Sequence, residues 1–120
     1  MDATTTLSDL RGAVDHFVGA RNWYRYHTPK NLAMSIAIEA AEIMEHFQWR
    51  DVQESSNAMQ DPTLRAEVAD ELADVLIYCL SFANATGIDV SEAIYKKLAR
   101  NEHRFPVAAT SGTLGEEHRD

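Results

Sequence analysis

Apolar residues recur at spacings of three and four along most of the chain, a pattern typical of amphipathic helices rather than strands. In the first such segment Leu10, Val14 and Val18 follow this spacing, and Ser8 is placed to cap its start. The pattern therefore predicts a first helix from Ser8, which ends before an aromatic connection at residues 24–27.

Three further helices have clear start signals. Thr28-Pro29 and Asp61-Pro62 each place a capping side chain directly before a proline, which is favoured in the first helical position. Asp89 begins a sequence like a capping box, and Gly87 is placed to end the helix before it. We expect helices over residues 29–49, 62–86 and 89–104, with the polar segment 50–60 as a loop.

These elements predict an all-α protein, a four-helix bundle formed by residues 8–106. The segment 107–120 is rich in small and polar residues, and we expect it to be a disordered tail. With 120 residues that are 45% hydrophobic, the chain has more apolar helix surface than one small bundle can bury. The bundle is therefore expected to assemble as a homo-oligomer.

The charge balance limits the possible partners. Eleven basic and 19 acidic residues give a net charge of −8, which disfavours binding to nucleic acid or to an anionic membrane. A polyanionic substrate would need a cation to be accepted. The N-terminus lacks a signal-peptide pattern and no apolar run is long enough to span a bilayer, so we expect a cytoplasmic protein.

Two pairs of acidic residues lie in the most apolar segments. Glu39 with Glu42, and Glu71 with Asp74, are each three residues apart, which places both acids of a pair on one side of a helix. Carboxylates in such surroundings should be paired or should hold a metal. Four of them form an all-oxygen site that suits Mg²⁺, with Mn²⁺ as the alternative ion. No histidine follows an acid by three residues, which excludes the usual di-iron bundle site.

Two other groups of residues have both a functional and a structural interpretation. Lys97, Asn101 and Arg104 share one helix face, which could bind phosphates or could simply be solvated. Aromatic residues such as Trp23 and Trp49 stand at helix ends, where they could stack on a planar base or pack at the edge of the core.

The two acidic motifs, Glu39-Ala40-Ala41-Glu42 and Glu71-Leu72-Ala73-Asp74, resemble those of the all-α nucleoside triphosphate pyrophosphohydrolases, the MazG-like family. Within that family, the chain most resembles the dCTP pyrophosphatase branch. The similarity extends over Leu10 to Pro106, and the further matching blocks are residues 21–23, 27–32, 47–49, 74–78 and 97–106.

This resemblance implies a four-helix bundle in a homo-oligomer, expected to be a tetramer, and Mg²⁺-dependent cleavage of a nucleoside triphosphate to the monophosphate and pyrophosphate. The implied metal ligands are Glu39, Glu42, Glu71 and Asp74, with Glu39 or Glu42 as the catalytic base. The implied phosphate ligands are Lys97, Asn101 and Arg104, with help from Tyr78. The base and sugar would contact Trp23, His27, Asn31 and Trp49.

The substrate and the reaction have alternatives. A related all-α phosphohydrolase acting on dUTP or phosphoribosyl-ATP would keep the metal site and change the base pocket. A non-catalytic helical interaction module would use the acids as structural ion-pair partners.

Overall fold

The computed structural model describes residues 1–112, and over that range all regular secondary structure is helical. The predicted all-α class is therefore confirmed. The helices are α1 (Leu7–Ala20), α2 (Pro29–Glu45), α3 (Val52–Ala58), α4 (Pro62–Thr86), α5 (Val90–Arg104) and α6 (Val107–Thr110), and a 3₁₀ turn covers Tyr24–Tyr26.

The first of two compact units covers residues 1–87. In it α4 packs against α1 and, more extensively, against α2. Val18 of α1, Leu32 of α2 and Ala83 of α4 are its buried apolar residues. The guanidinium of Arg11 donates to Asn84 Oδ1, and Asn84 Nδ2 donates back to the Arg11 carbonyl, both at 3.1 Å. These two bonds fix the register of α1 on α4.

Local capping chemistry sets the helix starts as the sequence predicts. The Thr28 hydroxyl accepts from the Asn31 amide, and the Asp61 carboxylate accepts from the Thr63 amide, with proline in the first helical turn in both cases. Gly87 ends α4 with φ of +71°, a left-handed conformation that favours glycine.

Two predicted boundaries are wrong by a few residues. The first helix begins at Leu7 because Thr6, not Ser8, caps it, in a reciprocal capping box with Asp9. The second ends at Glu45 rather than near Trp49, and the chain continues in turns over 46–50.

The expected loop over residues 50–60 is also wrong, since it contains α3. Asp51 accepts from the Glu54 amide to cap this helix, and the Ser55 hydroxyl donates to the Val52 carbonyl. The helix is too short and too polar to have an apolar stripe, so hydrophobic periodicity misses it.

The second unit begins at residue 88 and contains α5 and α6. Asp89 caps α5 by accepting from the Glu92 amide, as predicted. One turn of helix, α6, stands at the start of the segment expected to be a tail, whereas residues 113–120 of that segment lie outside the described residues. Among residues 1–112 no single helix is long and apolar enough to cross a bilayer; only α4 and α5 taken together across the break between them reach that length and hydropathy.

Candidate active site

The four predicted acids face one another across the contact between α2 and α4. The pKa of Glu39 is raised, first by its partial burial, then by a hydrogen bond with the carboxyl of Glu42, and further by the negative charges of all three other acids. Because Glu71 and Asp74 on α4 act on Glu39 on α2, the helix packing brings both acidic motifs to one place. The sequence prediction that the pairs converge is thus consistent with the geometry.

Two carboxylate oxygens in this cluster are buried without a hydrogen bond. Glu39 Oε2 has no partner among residues 1–112. Glu71 Oε2 has no hydrogen bond in the same range either, but it lies 2.7 Å from His46 Nε2, which is an ion-pair contact when the imidazole carries a charge. Buried carboxylate oxygens in this condition are costly unless something else binds them.

His46 was missed by the sequence analysis. It follows Glu42 by four residues and therefore lies one turn further along the same face of the chain, and its side chain is about as buried as that of Glu71 (20% and 22% exposed). The i, i+4 spacing was the available signal, but only the packing of α4 shows that His46 reaches Glu71.

The donor set suits a hard divalent cation. Within the described residues, no three His, Cys, Asp or Glu side chains already stand close enough to form a metal cluster. However, carboxylates that repel one another and a buried oxygen without a partner are the groups that a cation would satisfy. The residues therefore fit the expected Mg²⁺ by their chemistry, without a preformed coordination sphere.

Three residues of the predicted base and sugar pocket cluster around the 3₁₀ turn. The Trp23 and His27 rings are stacked, with centroids 6.5 Å apart and planes at 27°. Asn31 Nδ2 donates to the Tyr26 carbonyl at 3.0 Å, so this amide holds the turn in place. Trp23 also packs edge-on against Phe17 of α1, with the ring centroids 5.8 Å apart.

The other two residues predicted near the nucleotide differ in their surroundings. Trp49 is 88% exposed, so this chain alone does not bring it into the cluster with Trp23. Tyr78 is half-buried on α4, one turn after Asp74.

The predicted phosphate ligands all lie on α5 in the second unit. Asn101 and Arg104 are half-buried and Lys97 is exposed. The Arg104 guanidinium stands over the Phe105 ring at 5.5 Å, and the Asn101 carbonyl accepts from the Phe105 amide at the helix end. Their spacing of four and three keeps the three side chains on one face of α5.

A cavity of about 260 Å³ opens between α1, the 3₁₀ turn and the last turns of α4. Of the residues around it, only His27 is predicted from the sequence as a site residue. The lining residues are Asp15, Val18, Tyr24, His27, Ser81, Asn84 and Ala85.

The chain matches the model of the MazG-like family over residues 34–116. It is 34% identical over 108 residues to dCTP pyrophosphatase 1 of Mus musculus and 35% identical over 101 residues to dCTP pyrophosphatase 1 of Homo sapiens. These alignments cover 90% and 84% of this chain, but only 64% and 59% of the relatives, so the chain spans a little under two thirds of their length.

A solved structure of similar shape is the pyrophosphatase of Archaeoglobus fulgidus. It superimposes with a TM-score of 0.78 at 40% identity, over 83% of this chain and 92% of that protein. These findings confirm the resemblance stated from the acidic motifs. Since the family model matches well over half of the residues, the chain belongs to the MazG-like family.

Proposed function

We propose that this protein is a pyrophosphohydrolase that cleaves dCTP or a related pyrimidine nucleoside triphosphate to the monophosphate and pyrophosphate. The proposal rests mainly on the surroundings of Glu39. Its carboxylate faces three further acids, and one of its oxygens is buried without a hydrogen-bond partner among residues 1–112. Membership of the MazG-like family and the similarity to dCTP pyrophosphatase 1 support both the reaction and cytosine as the base of the substrate.

The four acids Glu39, Glu42, Glu71 and Asp74 would hold Mg²⁺ in this proposal. When bound, the ion neutralises charge on the triphosphate and acidifies a water for attack at phosphorus. The net charge of −8 makes such a counter-charge necessary, because the protein otherwise repels a polyanion.

The remaining roles belong to side chains of the protein itself. Glu39 or Glu42 accepts the proton of the attacking water, and both lie in the cluster where that proton would be released. The α5 face with Lys97, Asn101 and Arg104 donates to the phosphates, with Tyr78 as a further donor. The base and sugar contact the stacked Trp23 and His27, together with Asn31 and Trp49.

The proposal includes the expected four-helix bundle and its assembly into a homo-oligomer, a tetramer. Ile38 on α2 and Leu72 and Leu76 on α4 are each at least half exposed in the single chain, at 57%, 50% and 52%. Apolar side chains in this number beside a polar site favour a partner surface of the same kind. Sedimentation equilibrium at micromolar concentration tests this point, and a monomer at all concentrations would contradict it.

The reaction is tested by product analysis after incubation with dCTP, dTTP, dUTP and ATP, with and without Mg²⁺. We expect Mg²⁺-dependent release of monophosphate and pyrophosphate, fastest for dCTP. Release of diphosphate and orthophosphate would mean that a different phosphorus is attacked. Preference for dUTP would favour the first alternative phosphohydrolase. If none of the four is cleaved, turnover of phosphoribosyl-ATP in a separate incubation would favour the second.

Glu42→Gln tests the role of the acidic cluster. We expect the variant to fold normally and to lose measurable turnover at saturating Mg²⁺, because the amide neither binds a cation strongly nor accepts the proton. Glu54→Gln, a change of the same kind on the exposed face of α3, is the matched control and should retain wild-type activity. Retained activity in Glu42→Gln would remove this residue from the site.

A non-catalytic interaction module remains the competing function. It predicts that Mg²⁺ with nucleotide leaves the melting temperature unchanged, whereas a true site raises it by mass action.

A further inference from the structure

Two buried polar atoms in the cavity between α1 and α4 have no hydrogen-bond partner. Ser81 is 5% exposed, and neither its Oγ nor the buried Nδ1 of His27 is hydrogen-bonded to any residue in the range 1–112. Both residues line the same cavity. A buried hydroxyl and a buried ring nitrogen without partners are places where a bound molecule would gain hydrogen bonds.

The other polar groups of the cavity already have partners. The Tyr24 hydroxyl donates to Asp15 Oδ1 at 2.9 Å, and the Asn84 amide is bonded at both ends to Arg11. Among the described lining residues, Ser81 and His27 therefore supply the buried polar atoms that have no hydrogen bond at all.

The position of Ser81 on α4 links the cavity to the acidic cluster. Ser81 follows Asp74 by seven residues, two turns of helix, so both lie on nearly the same face about 10 Å apart along the axis. Tyr78 lies between them on that face. A nucleotide whose phosphates are at Asp74 can thus extend along α4 and place its base at Ser81.

The cavity is large enough for part of a nucleotide but not for a whole one. Pockets that enclose a whole drug-sized ligand usually have about 300–1,000 Å³, and this one has about 260 Å³. It suits one ring of a nucleotide, with the sugar and phosphates outside it.

The polar groups favour a base that carries an amino group. This preference requires the His27 tautomer that carries its proton on Nε2 and accepts through Nδ1, and the Asp15 carboxylate adds negative charge to the same wall. An amino group donates to such a wall, whereas a carbonyl is repelled by it. The Ser81 hydroxyl can donate to an adjacent ring nitrogen, and cytosine presents this donor and acceptor pair on one edge while thymine and uracil reverse it.

We propose that Ser81, together with His27, recognises the amino edge of the substrate base and so determines the preference for cytosine. This inference rests on the proposed function for the identity of the ligand. It adds Ser81, which no sequence motif indicated, as a specificity-determining residue.

The test measures binding of the product nucleotides dCMP and dTMP to the full chain in Mg²⁺ by titration calorimetry, for wild type and Ser81→Ala. Loss of one hydrogen bond is worth about three- to tenfold in affinity. We expect dCMP to bind Ser81→Ala more weakly by this factor, while the affinity for dTMP changes less than about twofold. Thr86→Ala, an exposed hydroxyl on the same helix, is the matched control and should bind as wild type.

The outcomes separate this inference from the proposed reaction, since binding of dCMP needs no turnover. If wild type binds dCMP and dTMP equally, binds neither, or binds dCMP as tightly as Ser81→Ala does, the inference is wrong even where dCTP is hydrolysed. If Ser81→Ala loses dCMP selectively while wild type hydrolyses no nucleotide, the base recognition stands and the proposed reaction fails.

Discussion

Ser81→Ala should stabilise the ligand-free protein. The change removes the hydroxyl of a residue that is 5% exposed, an oxygen without a hydrogen-bond partner among residues 1–112, and leaves a hydrogen on the same Cβ in its place. An unsatisfied buried hydroxyl costs about 1–3 kcal/mol in proteins. We take the lower end, since the group borders a cavity of about 260 Å³ rather than close-packed core.

This free energy converts to a measurable shift in melting temperature. With an unfolding entropy of about 2.1 cal/mol/K per residue over 120 residues, a gain of about 1 kcal/mol raises the melting temperature by about 4 °C. Differential scanning calorimetry without Mg²⁺ or nucleotide measures it directly. A melting temperature lowered by Ser81→Ala would refute the reasoning, because it would mean that the hydroxyl is bonded in the free protein. Thr86→Ala controls for hydroxyl loss on the same helix, since its hydroxyl is bonded to the Phe82 carbonyl at 2.8 Å.

Two further changes test the acidic cluster and the core. Glu39→Gln should raise the melting temperature in EDTA, because it removes one of four carboxylates that repel one another. It should also abolish the increase in melting temperature that Mg²⁺ gives to wild type. If Mg²⁺ raises the melting temperature of both proteins equally, Glu39 is not a metal ligand. Leu32→Ala should lower the free energy of unfolding by about 2–5 kcal/mol, because this side chain is only 2% exposed. Leu72→Ala, at a half-exposed position on α4, is the control, measured by urea denaturation under conditions that dissociate any oligomer. If both variants lose the same free energy of unfolding, Leu32 is not the centre of the core.

Much of the fold follows from signals that act within one or two turns of the chain. Thr28 and Asp61 cap helices through bonds to amides two or three residues away, so the sequence alone predicts where α2 and α4 begin. Gly87 ends α4 for a reason equally local, its left-handed conformation. Where two capping residues compete, as Thr6 and Ser8 do, the capping box with Asp9 decides the outcome, and that partner lies only three residues away.

The same distinction between local signals and contacts formed in space applies to the residues of the site. The convergence of the acids is predictable, since spacing within a helix places Glu39 beside Glu42 and apolar surroundings require a partner for both. His46 and Ser81 are different. The spacing of His46 from Glu42 does not show that its ring reaches another helix, and nothing near Ser81 in the sequence marks it as a serine without a hydrogen bond. Their importance depends on which groups α2, α4 and α1 bring together in space.

The unsatisfied groups of the first unit are not scattered through it. Glu39 faces the two acids of α4, and Ser81 with His27 borders the cavity next to the last turns of α4, so buried polar atoms among residues 1–112 lack hydrogen bonds at two separate places. Each of these places costs stability in the free protein. In the proposed complex, a cation with phosphate would satisfy the acids and a base edge would satisfy Ser81. In a helical module that used its acids only as structural ion-pair partners, the buried Ser81 hydroxyl would have no function. Alanine at position 81 would then be more stable, because it has no unsatisfied hydroxyl. The position of the Ser81 hydroxyl, two turns from Asp74, therefore favours a nucleotide-binding enzyme over such a module.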